Sequence, residues 1–164
     1  MASAHVSRAL PRTLVRRMAS PAGSSMKSQE TKLLLVVAAC LVNEKGQVLL
    51  AERPKSKHMG GRYEFPGGKV EAGERPEVAL TRELQEELGI TCGTVKPLTF
   101  CSHAYEAFHL LMPLYLCRSW EGVPTGREGQ QLVWAGADDL EEYDMPPADI
   151  PLLPFVKRAL KGEF

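Results

Sequence analysis

From Gly68 to Ile90 the chain reads GKVEAGERPEVALTRELQEELGI, and no other stretch constrains the fold as tightly. Pro76 suits the first turn of a helix and Gly89 its end, so the spacing predicts a helix over Pro76–Leu88. Leu80, Leu84 and Leu88 recur every fourth residue and form an apolar stripe that has to pack on something. Glu83, Glu86 and Glu87 fall at i, i+3 and i+4, which brings three carboxylates to one side of the same helix. The helix is thus anchored by leucines along one arc and presents glutamates along the next.

Glutamates on a helix ordinarily mean a solvated face. Three features argue for more here. Like charges at this spacing repel by a few tenths of a kcal/mol per pair, so the cluster calls for a counterion. Only Arg82 offers charge relief within that turn, and a glycine-rich loop leads straight into the helix. Clustered hard oxygens select hard cations, above all Mg²⁺, for which Mn²⁺ can substitute. A divalent ion converts an acidic surface into a site for a polyphosphate.

The rest of the chain predicts a mixed sheet with helices on both faces, an α/β (α+β) sandwich in three α/β/α layers. Leu33–Val42, the longest apolar run, reads as a central strand and is too short to span a bilayer. Gln47–Glu52 reads as its hairpin partner across the turn Asn43–Gly46. Gly60-Gly61 and Pro66-Gly67-Gly68 punctuate a long loop. Strands are expected at Lys96–His103, Phe108–Leu116 and Gln131–Ala135, and a closing helix at Pro151–Leu160.

Charge divides the chain. Its formal net charge is zero, but residues 1–28 carry Arg8, Arg12, Arg16, Arg17 and Lys27 with no acid. That segment is rich in Arg and Ser and has Val6, Leu10, Leu14 and Met18 at helical spacing, the composition of a mitochondrial or plastid transit peptide. Pro11 interrupts the pattern, and the alternative is a disordered tail on a cytoplasmic protein. Residues 29–164 form the expected catalytic domain. Its acidic excess excludes a stable grip on a nucleic-acid backbone and suits a small polyanion, a nucleoside triphosphate, only through metal. No membrane association is expected, and nothing in the sequence selects an oligomeric state. Cys40, Cys92, Cys101 and Cys117 make no C-x-x-C pair and read as reduced, mostly buried thiols.

Gly68–Ile90 matches G-x5-E-x7-R-E-U-x-E-E-x-G-U, with U aliphatic, at every position; a random hit at one site is on the order of one in 10⁸. This resembles the Nudix box of the Nudix hydrolases. Tyr63–Lys69, and the loose stretches around Leu50–Arg53, His58-Met59, Trp120–Gly122, Gly126–Gln130 and Met145–Asp149, resemble the MutT-type members. The resemblance implies hydrolysis of a nucleoside triphosphate to monophosphate and pyrophosphate, with 8-oxo-dGTP the leading substrate. It implies Glu83, Glu86, Glu87, the Gly67 carbonyl and a distant Glu128 as metal ligands, and Glu83 or else Glu86 as the base that takes the proton from water. Glu74 and Arg82 would brace loop against helix beside Gly68. Arg53 would meet a phosphate, while His58, Glu64, Phe65, Pro66 and Gly67 would lie against the substrate.

The departure is Asp149. In bacterial MutT an asparagine at the matching position reads the oxidised guanine. The run PPADIPLL also resembles the CTP-type pyrophosphohydrolases, so CTP or a modified dCTP is the alternative. An ionised carboxylate only accepts hydrogen bonds, unlike an amide. Capping of the closing helix is the other role open to Asp149. A nucleotide-binding module without catalysis, and RNA decapping, are the remaining alternatives.

Overall fold

The computed structural model describes residues 31–164; the segment expected to act as a targeting peptide lies outside them. In chain order the strands are β1 (Lys32–Leu41), β2 (Val48–Glu52), β3 (Tyr63–Glu64) and β4 (Gly67–Lys69), followed by helix α1 (Pro76–Leu88). Then come β5 (Thr91–Cys92), β6 (Val95–Ala104), β7 (Phe108–Cys117), β8 (Trp120–Glu121), β9 (Leu132–Ala135) and α2 (Leu153–Leu160). Thr31–Phe164 forms one unit.

Four strands make a mixed sheet in the order β4-β1-β7-β6. β1 runs parallel to β7 and antiparallel to β4, and β6 is antiparallel to β7. From Val37 onward β1 is buried on both faces, and its side chains alternate accordingly. Val37, Ala39 and Leu41 join the α1 side with Leu80, Leu84 and Leu88; Ala38, Cys40 and Val42 join the α2 side with Leu152, Val156 and Ala159. The sheet therefore sits between two helical layers.

The turn Asn43–Gly46 is built as a turn should be. The Asn43 carboxamide oxygen accepts from the Lys45 and Gln47 amides, and Gly46 takes a positive φ of 70°. The expected hairpin does not continue from it. A single bridge, Val42 to Val48, joins the two strands, after which β2 leaves to form a separate antiparallel sheet in the order β3-β2-β9. The reason is burial: Val48 and Leu50 pack on the α2 side and Leu49 on the α1 side, so β2 is covered on both faces and takes β3 and β9 as its two edges. The loop expected over Gly60–Gly68 also holds two short strands. β4 is one of them, and it can pair closely with β1 because a Cβ at Gly67 would run into the Val37 carbonyl.

Helix α1 has the expected bounds. Pro76 opens it, and Gly89 at φ 71° ends it with its amide on the Gln85 carbonyl. The closing helix starts with a 3₁₀ turn at Ile150–Leu152 before α2, since Pro151 and Pro154 remove two early donors. No helix among the described residues is long and apolar enough to cross a membrane.

Leu84 is fully buried at the centre of the α1 stripe, whereas Val78 on the same helix is half exposed. Leu84→Ala is expected to cost roughly 2–5 kcal/mol and Val78→Ala less than about 0.5 kcal/mol in urea denaturation. Equal losses would mean that α1 is not anchored through the leucine stripe.

Candidate active site

Two loops and α1 frame a cleft of about 530 Å³ at the β4 edge of the mixed sheet. Its lining divides by element. α1 contributes Glu83 and Glu87, and the loop before β9 contributes Glu128. The Arg53–Arg62 loop contributes Arg53, Lys57, His58 and Met59. β1, β7 and the 146–149 segment line the rest with Val36, Leu110, Met112, Ala148 and Asp149, joined by Phe65 and Tyr105.

Arg82 organises the acidic end. Its Nε and Nη2 donate to the two Glu74 oxygens at 3.0 and 2.8 Å. Nη2 also donates to the Lys69 carbonyl at 3.0 Å, and Nη1 donates to Glu83 at 2.7 Å. Arg82 thus ties the loop, β4 and α1 together, and its hydrogen bonds draw the Glu74 carboxyl down to about 2. Gly68 allows this arrangement, because a Cβ there would occupy the place of the Glu83 carboxyl group. Glu86 stands apart. Its side chain is 60% exposed, against 15% for Glu83, and its carboxylate lies 3.6 Å from Arg82 at the rim, outside the lining of the cleft.

The last carbonyls of α1 fix the Glu128 loop. Arg127 donates its amide to the Glu87 carbonyl and its guanidinium to that of Gln85; the Gln130 carboxamide also donates to Glu87. Glu128 projects from this platform and meets Lys57 at 3.1 Å, an exposed pair of small energetic weight. Burial pushes the Glu87 carboxyl up to about 7, helped by the negative charges of Glu128, Glu64 and Glu83 and opposed by Lys57.

On the loop opposite, the Arg53 guanidinium pairs with Glu64 and donates through Nε to the His58 carbonyl at 3.0 Å. Its charge is therefore already engaged with another residue of the cleft. Met59 is the one non-glycine with positive φ among the described residues, at 59°, and it too lines the cleft. Phe65 is buried in the α2-side core and reaches the cleft from there, and the Pro66 carbonyl accepts from the Ala39 amide. Lys57 and Tyr105 went unnoticed in the sequence. Lys57 lies one residue before His58 in the same loop, and Tyr105 sits where the β6–β7 hairpin turns.

Asp149 is 4% exposed, the one buried charged or polar residue among those described. Its side chain makes no capping bond to the turn that follows, which removes the capping role. Burial pushes its carboxyl up to about 8, the nearby Glu64 adds to the shift, and the Phe65 amide and Arg53 oppose it. The sequence suggested an ionised acceptor; burial instead shifts Asp149 toward the neutral acid, and a carboxylic acid both donates and accepts.

Among the described residues no three metal-binding side chains already converge on one point. The donor chemistry nevertheless fits a hard divalent cation. Glu83, Glu87, Glu128 and Gly67 bring only oxygen to the cleft, and the acidic end holds more negative charge than Lys57 relieves.

Comparison with known proteins places this geometry. A NUDIX domain model matches residues 37–154. The 8-oxo-dGTP diphosphatase of Escherichia coli K12 is 37% identical over 127 residues, covering 77% of this chain and 98% of that protein. The CTP pyrophosphohydrolase of the same organism is 39% identical over 124 residues, covering 74% and 90%. Among solved structures, a MutT from work on Aliivibrio salmonicida and Vibrio cholerae superposes with TM-score 0.68 at 37% identity, covering 78% and 99%. The E. coli ORF135 protein superposes with TM-score 0.70 at 36% identity, covering 81% and 94%.

The Glu74–Arg82 pair has a signature in pH. Glu74 is held below its ordinary value, so it contributes stability above about 4.5 that is lost as pH falls through about 2. The stability gap between the native chain and Glu74→Gln, followed by thermal melting, is expected to hold above pH 4.5 and close toward pH 2. A gap independent of pH would show that the pair is not what braces the loop.

Proposed function

The chain belongs to the Nudix family and is a hydrolase of phosphoric anhydrides, and from that premise we propose that it cleaves nucleoside triphosphates to monophosphate and pyrophosphate, with 8-oxo-dGTP as its preferred substrate. The relatives named 8-oxo-dGTP diphosphatase support the reaction. The observation that carries the substrate is Asp149, buried at the apolar end of a cleft whose other end is acidic, where desolvation favours its neutral form.

A donor–acceptor pair on one side chain discriminates among purines. Guanine offers two acceptors, O6 and N7, on its major-groove edge. Oxidation at C8 places a hydrogen on N7, so 8-oxoguanine presents an acceptor beside a donor. The Asp149 acid complements that edge as an amide would, and leaves one unmatched contact against guanine. Phe65, Tyr105 and Met112 supply apolar surface for the ring, in the way nucleotide pockets commonly do. Cytosine also sets a donor, N4–H, beside an acceptor, N3. This favours a second reading, a CTP or modified-dCTP pyrophosphohydrolase, and the similarity to the CTP enzyme supports it.

At the acidic end Glu83, Glu87, Glu128 and the Gly67 carbonyl are assigned to hold Mg²⁺, with Glu86 able to join only by leaving Arg82. When bound, the ion supplies charge neutralisation to the polyphosphate and acidity to a water. Glu83 takes the proton from the attacking water, its carboxylate oriented by Arg82, and Glu86 is the second choice. Lys57 and Arg53 face the phosphates; the Arg53–Glu64 pair also holds the wall next to Asp149. Removing oxidised nucleotides from the precursor pool is the cellular role, in mitochondria if residues 1–28 direct import.

Two outcomes test the reading. The first uses a panel of canonical and oxidised nucleoside triphosphates ranked by kcat/KM. The native chain is expected to prefer 8-oxo-dGTP over dGTP by roughly ten- to a hundredfold near neutral pH, the worth of a hydrogen bond in a buried site. The ratio should decline as pH rises through about 8, where Asp149 loses its proton. Asp149→Asn should keep the neutral-pH ranking and flatten its pH dependence; a CTP optimum would select the second reading instead. The second uses Gly68→Ala, whose Cβ displaces the Glu83 carboxyl group. It is expected to lower kcat/KM by about 100-fold while circular dichroism stays native. Undiminished turnover in that variant would remove Glu83 from the mechanism.

A further inference from the structure

Away from the cleft, two thiols lie side by side. Cys117 ends β7 and is fully buried in the α1-side core, while Cys92 ends β5 and is partly exposed. Their Sγ atoms are 2.9 Å apart, and both are free. That is within about 1 Å of the length of a disulfide bond. The Cys117 thiol donates to the Cys92 sulfur and, at 3.1 Å, to the Ser119 carbonyl, and its contacts with Cys92 and with the backbone at Ser119 and Gly93 draw it down to about 7. The same contact, together with burial, pushes the Cys92 thiol up. Cys40 and Cys101 have no such partner among the described residues, and burial lifts Cys40 to about 12, out of the reactive range.

We propose that Cys92 and Cys117 are an oxidisable dithiol that a hydroperoxide closes into an intrachain disulfide without rearrangement of the fold. Cys92, the partner that solvent reaches, attacks the terminal peroxide oxygen and gives up its thiol proton. The O–O bond breaks and the departing alkoxide takes that proton and leaves as the alcohol. Cys117 then attacks the sulfenic sulfur of Cys92; the S–O bond breaks, and the departing hydroxide takes the Cys117 proton and leaves as water. Two thiols and one hydroperoxide thus give one disulfide, one alcohol and one water.

The placement gives the bond a consequence. β5 follows α1 directly after Gly89-Ile90, and it pairs with β8, from which the Glu128 loop departs. Thr125, Arg127 and Gln130 of that loop bond to the last carbonyls of α1. A Cys92–Cys117 bond ties the end of β7 to this junction and closes a loop of roughly 26 residues in the unfolded chain. It touches no residue of the cleft, so it stabilises the platform without altering the site.

The test is mild hydrogen peroxide treatment of the full-length protein, followed by non-reducing peptide mapping. The expected product is a Cys92–Cys117 cross-linked peptide lighter by two hydrogens. The melting temperature should rise by roughly 5–10 °C, and dithiothreitol should reverse it. Turnover should stay within about twofold of the untreated enzyme. Cys92→Ser should abolish the peroxide-dependent rise. Sulfinic acid at either residue without a cross-link, or oxidation of Cys40 or Cys101 at the same rate, overturns the proposal. The mapping is done on the native chain and so stands whether or not the variant folds.

Discussion

The Arg82 guanidinium donates in three directions at once, to the Glu74 carboxylate, the Lys69 carbonyl and the Glu83 carboxylate. Each partner belongs to a different piece of chain: the glycine-rich loop, strand β4 and helix α1. A planar fork satisfies such a set where a lysine could not. With the guanidinium in place, the loop carries Gly67 and Gly68 flat against β1, and the bare backbone at Gly68 leaves room for Glu83 above the strand. Much of the acidic end follows from this one side chain and two missing ones.

What Arg82 does not do is neutralise the site. It compensates Glu74 and Glu83, but Glu87, Glu64 and Glu128 converge on a cleft with Lys57 and Arg53 as their local cations, and Arg53 is engaged by Glu64. Burial then raises carboxyl groups that have too little positive charge nearby. An acidic surface kept under such tension costs stability in the free protein. It makes sense in a hydrolase whose substrate brings its own anions together with a divalent ion.

The acidic end was legible in the sequence because helical periodicity is local: three glutamates and three leucines at fixed spacing say which side faces the sheet before any tertiary contact is known. Pro76 and Gly89 gave α1 its limits for the same reason. The errors concern pairing. Nothing local in Val48–Glu52 says that it would leave β1 after one bridge, because that outcome depends on β9, eighty residues on, offering it an edge. β3 and β4 were invisible as strands, since two or three residues with glycines in them carry no periodicity and exist only through their partners. Lys57 and Tyr105 were missed likewise: each is an ordinary polar loop residue until the fold sets its loop across from α1 or Asp149.

Asp149 shows how far residue identity underdetermines chemistry. Read as a letter, aspartate in place of asparagine exchanges a donor–acceptor group for an anion, which argues against an oxidised purine. The fold reverses that argument. Asp149 lines the cleft beside Phe65 and Ala148 with almost no exposed surface, and the charges acting on it are the opposed Glu64 and Arg53. Desolvation therefore decides, and it favours the neutral acid. A neutral acid and an amide differ by O–H against N–H and share the same planar shape and the same pairing of one donor with one acceptor. Burial thus brings this aspartate closer to an amide in hydrogen-bonding capacity than its letter suggests, so the base reading proposed for Asp149 depends on what keeps water and countercharge away from it as much as on the residue itself.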